Sequence, residues 1–239
     1  MNKVLLFDID DTIAYRNKRI PDKLVKELQK LSLKYYIVFV SGKPSCYIYG
    51  MLRQVEYINK ISVIGENGAT ISIGSNFPPE IYYKYSLENK LNLQFSEIKS
   101  NLIKRHGDNI WFQPNEINLT IFPKSIELID DIYNYILNFI DENIIIYKHS
   151  DSVEILPAYI NKKEAVLKYL ELQNLNQTLV DIHAFGDSNN DLPMFDIANH
   201  IYLIGNKLKL KKNHISIQNI DSLIKYLKGV KIKGVSTNL

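Results

Sequence analysis

Three acids crowd into four positions near the start of the chain: Asp8, Asp10 and Asp11, directly after Val4-Leu-Leu-Phe7. Four apolar residues in succession, aromatic and β-branched types among them, predict a strand buried on both faces of a parallel sheet. Ligands of an open α/β sheet bind beyond the carboxyl ends of its strands, and Asp8 and Asp10 fall at that edge. With one residue between them, both carboxylates can turn toward one small volume, where their repulsion calls for a cation. Mg²⁺ suits such a set, because it takes hard oxygen ligands and keeps water and phosphate oxygens in its shell. The alternative is an acidic turn that only solvates the end of the strand. The layout recurs twice. Tyr36-Ile-Val-Phe-Val40 ends on Ser41-Gly42-Lys43, and Val180-Asp-Ile-His-Ala-Phe185 ends on Gly186-Asp187-Ser-Asn-Asn190-Asp191. Asp187 and Asp191 lie four apart across a turn entering a helix, so both can line one site. Asn189 or Asn190 can cap that helix, and Asn189 is the expected cap.

The elements that must position these groups follow from periodicity. Pro21 opens a predicted helix over 21–34, with Leu24, Leu28 and Leu31 at helical spacing. A helix over 45–56 follows the second strand, then a strand over 61–64 and the turn Gly65-Glu-Asn-Gly68. Strand and helix thus alternate through residues 1–73, which predicts a doubly wound parallel sheet of α/β class. Gly74-Ser-Asn-Phe-Pro-Pro79 is rich in structure breakers. Beyond it come a strand (81–86), a helix (87–105), short strands flanking 113–117, a helix (125–141) and strands at 144–149 and 152–156. Adjacent strand pairs with alternating polarity predict a small antiparallel α+β unit over 80–158, inserted into a Rossmann-like core of residues 1–79 and 159–239. The core resumes with a helix (161–173), the strand at 180–185, a strand at 200–204 and a helix at 221–228.

Composition narrows the function classes. The 239 residues are 46% hydrophobic and 23% charged, with a net charge of +3. That balance is ordinary for a globular protein with a full core and does not mark a nucleic-acid binder. The lysines at 207, 209, 211 and 212 are expected in a solvated loop. The single cysteine, Cys46, excludes an intramolecular disulfide and fits a reducing cytoplasm. The N-terminus reads as neither signal peptide nor membrane span. No G-x-G-x-x-G fingerprint follows any strand. Oligomeric state is not legible in the sequence.

Asp8-Ile-Asp-Asp-Thr12, Ser41-Gly42-Lys43, a lysine near 162 and Gly186-Asp-Ser-Asn-Asn-Asp191 resemble, in order, the four motifs of the haloacid dehalogenase superfamily of aspartate-nucleophile phosphatases. Asn67-Gly-Ala69, Asn161-Lys-Lys-Glu-Ala-Val166 and an insertion between the second and third motifs are similar to its Cof-like branch, which carries a type-C2 cap. The resemblance implies that Asp8 is the nucleophile and Asp10 the general acid and base. It implies Mg²⁺ held by Asp8, the Asp10 carbonyl and Asp187, with Asp191 nearby and Asn190 supporting. Ser41, Gly42 and Lys162 would hold phosphoryl oxygens, and Thr12 would orient the first loop. Two positions depart from the pattern: Asp11 and Lys163 stand where the family usually has glycine. Lys162 and Lys163 are adjacent candidates, and the small Ala165 three positions on favours Lys162.

The resemblance thus implies Mg²⁺-dependent hydrolysis of small phosphorylated metabolites, phosphosugars or phosphoglycolate-like acids, through an aspartyl-phosphate. Phosphomannomutase-like transfer would need a grip on a second phosphate, for which bidentate arginine is suited. Residues 80–158 hold one arginine, Arg105, so hydrolysis is favoured. A non-enzymatic phospholigand binder is the remaining alternative. In the insertion, Gln113, Asn115, Asn118, Lys148 and His149 are candidates to meet a sugar or carboxylate, with exposed polar residues the favoured reading, and Trp111 and the tyrosines are expected to be packing rather than a sugar-stacking platform.

Overall fold

Val4, Leu5, Leu6 and Phe7 are all fully buried, each burial favouring the fold by roughly 1.5–3 kcal/mol. Their strand, β1 (Asn2–Phe7), is the inner strand from which the larger sheet grows in both directions. The computed structural model describes residues 2–53, 61–74 and 78–229. The chain continues through α1 (Asp22–Ser32), β2 (Tyr36–Val40), α2 (Ser45–Leu52), β3 (Ile61–Gly65), β4 (Thr70–Ile73) and β5 (Ile81–Lys84). Next come α3 (Asn89–His106), β6 (Ile110–Phe112), β7 (Leu119–Pro123), α4 (Leu128–Ile136), β8 (Ile144–Lys148) and β9 (Val153–Pro157). The last elements are α5 (Lys162–Leu172), β10 (Val180–Gly186), α6 (Leu192–Ile197), β11 (His200–Ile204), β12 (Ile215–Ile217) and α7 (Ile220–Gly229). Residues 54–56 of the expected 45–56 helix and 75–77 of the breaker-rich segment lie outside the described residues.

Among the described residues the larger sheet has eight strands in the order β12-β11-β10-β1-β2-β3-β4-β5. The six from β12 to β3 are parallel, and β4 and β5 extend the far edge antiparallel. Alternate residues of each strand feed opposite faces. Leu5, Phe7, Ile37 and Phe39 pack against α1, α2 and α7, whereas Val4, Leu6, Val38 and Val40 pack against α5 and α6. This is the doubly wound α/β core that the alternation predicts.

The second sheet has four antiparallel strands in the order β6-β7-β9-β8. Ile110, Leu119, Ile121, Val153 and Ile155 point to one face, which α3 and α4 cover. The intervening Trp111, Thr120, Phe122 and Glu154 are left for the opposite face, which looks at the larger sheet.

Several elements differ from expectation. β5 joins the larger sheet through β4 and not the smaller one. Period-2 alternation assigns a strand its faces but not its partner. β4 and β12 are four and three residues long, too short to show a period, and α6 begins on a Leu-Pro pair that reads as a break. α4 is shorter than predicted, because its pattern ends in a tight turn at Leu137–Phe139.

Candidate active site

Strand order reverses between β1 and β10, and the crevice beyond their carboxyl ends is where doubly wound sheets bind ligands. Register carries Asp8 there: Phe7 pairs with Phe185, the two rings stack with centroids 4.5 Å apart, and the Asp8 amide donates to the Phe185 carbonyl at 3.0 Å. Beyond Asp8 the chain coils around the Ile9 carbonyl, which accepts from the amides of Thr12, Ile13 and Ala14 at 3.3, 3.0 and 3.0 Å. Buried Ile9 and Ile13 anchor this loop. Asp11 makes its turn with φ 57°, the left-handed conformation that glycine adopts freely and aspartate tolerates. That conformation accounts for the glycine usual at this position in the family that the sequence resembles.

α5 delivers the lysine. Asn161 caps it, its side chain accepting from the amides of Lys163 and Glu164 at 3.0 Å each. Lys162, 1% exposed, then reaches across the sheet. Its Nζ donates at 2.7 Å to both Asp8 Oδ1 and Asp191 Oδ1, and to the Val40 carbonyl at 3.4 Å. Lys163 is only partly buried, so of the adjacent pair Lys162 is the one brought to the acids.

The second oxygen of Asp191 accepts from the amides of Asp187 and Ser188 at 3.0 Å each. Ser188, not Asn189, stands at the cap position of the turn that follows. Gly186 permits this approach: a Cβ there would lie 2.6 Å from Asp191 Cγ. Asn190 accepts from the Ser188 hydroxyl at 2.6 Å and donates to Asn67 at 3.4 Å. Ser41 is buried, with its hydroxyl 3.3 Å from the Lys43 amide, and Gly42 lies against the Asn67 side chain. Thr12 is fully buried, and its hydroxyl has no hydrogen-bond partner among the described residues.

Carboxylate oxygens of Asp8, Asp187 and Asp191 lie within 4.8 Å of one another. Burial, followed by repulsion from Asp191 and Asp187, raises the Asp8 carboxyl to about 8 although Lys162 opposes the shift. Asp187 is also raised, by burial and then by Asp191, against the pull of Lys207. Three buried acids around one point, two of them held above their ordinary range, are a donor set that fits a hard divalent cation. Asp10 contributes from the more open side, its carboxylate paired with Lys43.

A cavity of about 650 Å³ opens above these residues, with Asp8 and Asp10 on its floor and Trp111, Phe122, His149 and Glu154 on the opposite wall. Trp111 is 54% exposed into this space, contrary to the expectation that it packs. Of the polar residues expected to be merely exposed, Gln113 and His149 line the cavity, whereas Asn118 is buried between the Glu66 carbonyl and Glu154, at 2.6 and 3.1 Å. Lys148 pairs with Asp130, and Asn115 bonds Thr120. Arg105 pairs with Asp131 at 2.7 Å, between α3 and α4 and away from the cavity.

Sequence reasoning gave no site role to Lys43 and Asn67, which it met only as parts of motifs, or to Lys207, and did not single out Glu154 or Arg16. Lys207, expected in a solvated loop, bonds Asp11 at 2.6 Å and Asp187 at 2.9 Å. The available signal was its place just past β11, which brings it to the same sheet edge as Asp187. Arg16 lines the cavity rim and pairs with Asp151 at 2.9 Å. Glu154 accepts from Asn67 at 2.7 Å, and its signal was a charge alternating with Val153 and Ile155.

Known proteins are similar to this chain in sequence and in fold. A family model described as haloacid dehalogenase-like hydrolase matches residues 5–116 and 80–227. The protein named "Putative phosphatase YkrA" of Bacillus subtilis is 26% identical over 231 residues, covering 86% of this chain and 87% of the relative. The 5-amino-6-(5-phospho-D-ribitylamino)uracil phosphatase YwtE of the same organism is 35% identical over 77 residues; this match covers 31% of the chain and 26% of that protein. The crystal structure of TM0651 from Thermotoga maritima superposes with a TM-score of 0.74 at 18% identity, covering 99% of this chain and all of that one.

Proposed function

We propose, for a chain that belongs to the haloacid dehalogenase-like hydrolases and is a phosphatase, that it hydrolyses sugar-sized phosphate monoesters with Mg²⁺ through an aspartyl-phosphate on Asp8. One observation carries this reading: a buried Asp8, tied to Lys162 and set beside Asp187 and Asp191 at the sheet's switch point.

Each residue has work it can do from where it stands. Asp8 attacks phosphorus in line, a P–O bond to its carboxylate forms, and the ester P–O bond breaks. Asp10 sits at the open side of the pocket, able to give a proton to the leaving alkoxide. In the second half it takes a proton from the water that attacks phosphorus, and the bond to Asp8 breaks. Lys162, Ser41 and the Gly42 amide hold phosphoryl oxygens, matching the charge that spreads over them in the transition state. Asp8, the Asp10 carbonyl and Asp187 would hold the ion, with Asp191 fixed behind them by its two amide bonds. When bound, Mg²⁺ screens the acids from the phosphate dianion and stabilises the transferring charge.

The cavity of about 650 Å³ lies within the roughly 300 to 1,000 Å³ of small-molecule sites and has room for a sugar phosphate. Residues 80–158, apart from β5, which joins the larger sheet, act as a cap on a core of 1–79 and 159–239, presenting Trp111 and Gln113 to the leaving group. The partner is a small phosphorylated metabolite in the cytoplasm; no helix among the described residues is long and apolar enough to cross a membrane. The test is hydrolysis of p-nitrophenyl phosphate by wild type and Asp8→Asn, with Mg²⁺ and with EDTA. Turnover should need Mg²⁺ and vanish in Asp8→Asn, because an amide cannot attack phosphorus. Near-normal rates in Asp8→Asn would overturn the nucleophile assignment.

A further inference from the structure

At the other end of β10 a second group of side chains converges. Asp181 and His183, two apart, share one face of the strand, and His183 pairs in register with His200, the first residue of β11. The imidazoles stack with centroids 4.5 Å apart. Both reach the same carboxylate: His183 Nε2 lies 3.2 Å from Asp181 Oδ2, and His200 Nε2 lies 3.2 Å from Asp181 Oδ1. One ligand atom from each of the three residues falls within 4.8 Å of the other two.

We propose that Asp181, His183 and His200 form a second cation site, selective for Zn²⁺ or a similar imidazole-binding divalent ion. The donor set is two imidazoles and one carboxylate, which suits zinc and not Mg²⁺. Zinc bonds of about 2.0–2.1 Å in a tetrahedron set neighbouring ligands about 3.3 Å apart, close to the 3.2 Å that separates each imidazole from the Asp181 carboxylate. An imidazole bound to a metal has its other nitrogen fixed by a hydrogen bond. The His183 Nδ1 lies 2.9 Å from the Tyr202 hydroxyl; donation there leaves the Nε2 lone pair facing Asp181. The site is open to solvent on one side, where the His200 side chain is 51% exposed, leaving room for a fourth ligand.

Lys3 stands against the ion. Paired in register with Asp181 through β1, it places Nζ 3.2 Å from Asp181 Oδ2. It supplies the positive charge that an ion would replace, and so competes with it. The site is separate from the catalytic acids: Asp181 and Asp187 are six steps apart along the strand, about 20 Å at 3.3 Å each.

Calorimetric titration with ZnCl₂ under saturating Mg²⁺ tests the proposal on wild type, Asp187→Ala, His200→Ala and Lys3→Gln. Asp187→Ala removes a donor of the catalytic cluster and isolates the second site. One equivalent of Zn²⁺ should bind both wild type and Asp187→Ala. His200→Ala should bind at least tenfold more weakly while hydrolysing p-nitrophenyl phosphate normally, and Lys3→Gln should bind more tightly. No uptake by Asp187→Ala, or equal affinity in wild type and His200→Ala, would overturn the proposal.

Discussion

Lys162→Met should separate the structural from the chemical work of the buried ammonium. Lys162 is 1% exposed and donates 2.7 Å bonds to two acids, Asp8 and Asp191, themselves 5% and 0% exposed. Methionine matches the length of the stem and leaves both carboxylates buried without that countercharge. Removing one partner of a buried ion pair costs about 3–5 kcal/mol. Asp8, raised to about 8, is already mostly protonated at pH 7, so the loss should fall near the lower end, about 3 kcal/mol. For a chain of this size each kcal/mol shifts the melting temperature by about 2–4 °C, giving a fall of about 6–12 °C. The assay is thermal melting in EDTA. Mg²⁺ should then recover part of the loss, since an ion at 100 times its Kd adds about 2.7 kcal/mol. Hydrolysis should fall about 10²–10³-fold, the loss expected for one donor to the developing charge. The neighbouring Lys163→Met serves as control and should move melting by less than about 2 °C, as surface substitutions do. Equal effects from the two substitutions, or a fall under about 2 °C for Lys162→Met, would refute the picture of a buried ammonium holding the acids.

The remaining expectations concern pH, metal and substrate. Asp8 binds its proton more tightly folded, near 8, than unfolded, near 3.8; its contribution is therefore fully present below about pH 4 and lost as pH rises through 8. Melting temperature in EDTA should fall from pH 5 to 8, and a rise over that window would contradict the assignment. Mg²⁺ should raise the melting temperature of wild type but not of Asp187→Ala, and Ca²⁺ should bind while supporting little turnover; an Asp187→Ala protein with wild-type Mg²⁺ dependence would place the ion elsewhere. Trp111→Ala should leave melting within about 2 °C and raise KM for a sugar phosphate about tenfold, roughly 1.4 kcal/mol; an unchanged KM would mean that the ring does not touch the leaving group.

The carboxyl edge of the core, where the candidate site lies, is legible because three apolar runs each stop on a polar group. Val4–Phe7 delivers Asp8, Tyr36–Val40 delivers Ser41 and Val180–Phe185 delivers Asp187, and all three strands are central and parallel. Lys162 is not legible this way, since nothing local says that a helix-start lysine crosses the sheet; only likeness to a family singles it out. Lys207 is hidden by Lys209, Lys211 and Lys212, and becomes meaningful once β11 is known to lie beside β10. β5 illustrates the same limit, because alternation at Ile81–Lys84 fits either sheet. Trp111 follows the period-2 rule faithfully, with Ile110 in the core and the ring on the other face. What the rule omits is that this face looks onto a cavity, a fact created by two sheets meeting.

Those sheets meet at Glu66. Its buried carboxylate accepts the amides of Glu116, Ile117 and Asn118 at 2.8, 2.9 and 3.0 Å, while its own carbonyl takes the Asn118 side chain at 2.6 Å. Most of this grip is on main chain, which every residue but proline supplies. The side chains at 116 and 117 add to it, Glu116 pairing with Lys84 of β5 and Ile117 packing beside Ala69, but only Glu66 would strand three donors if replaced. A lineage carrying this joint can remodel the wall that faces its ligand, one substitution at a time, while the hold between the two sheets is inherited unchanged.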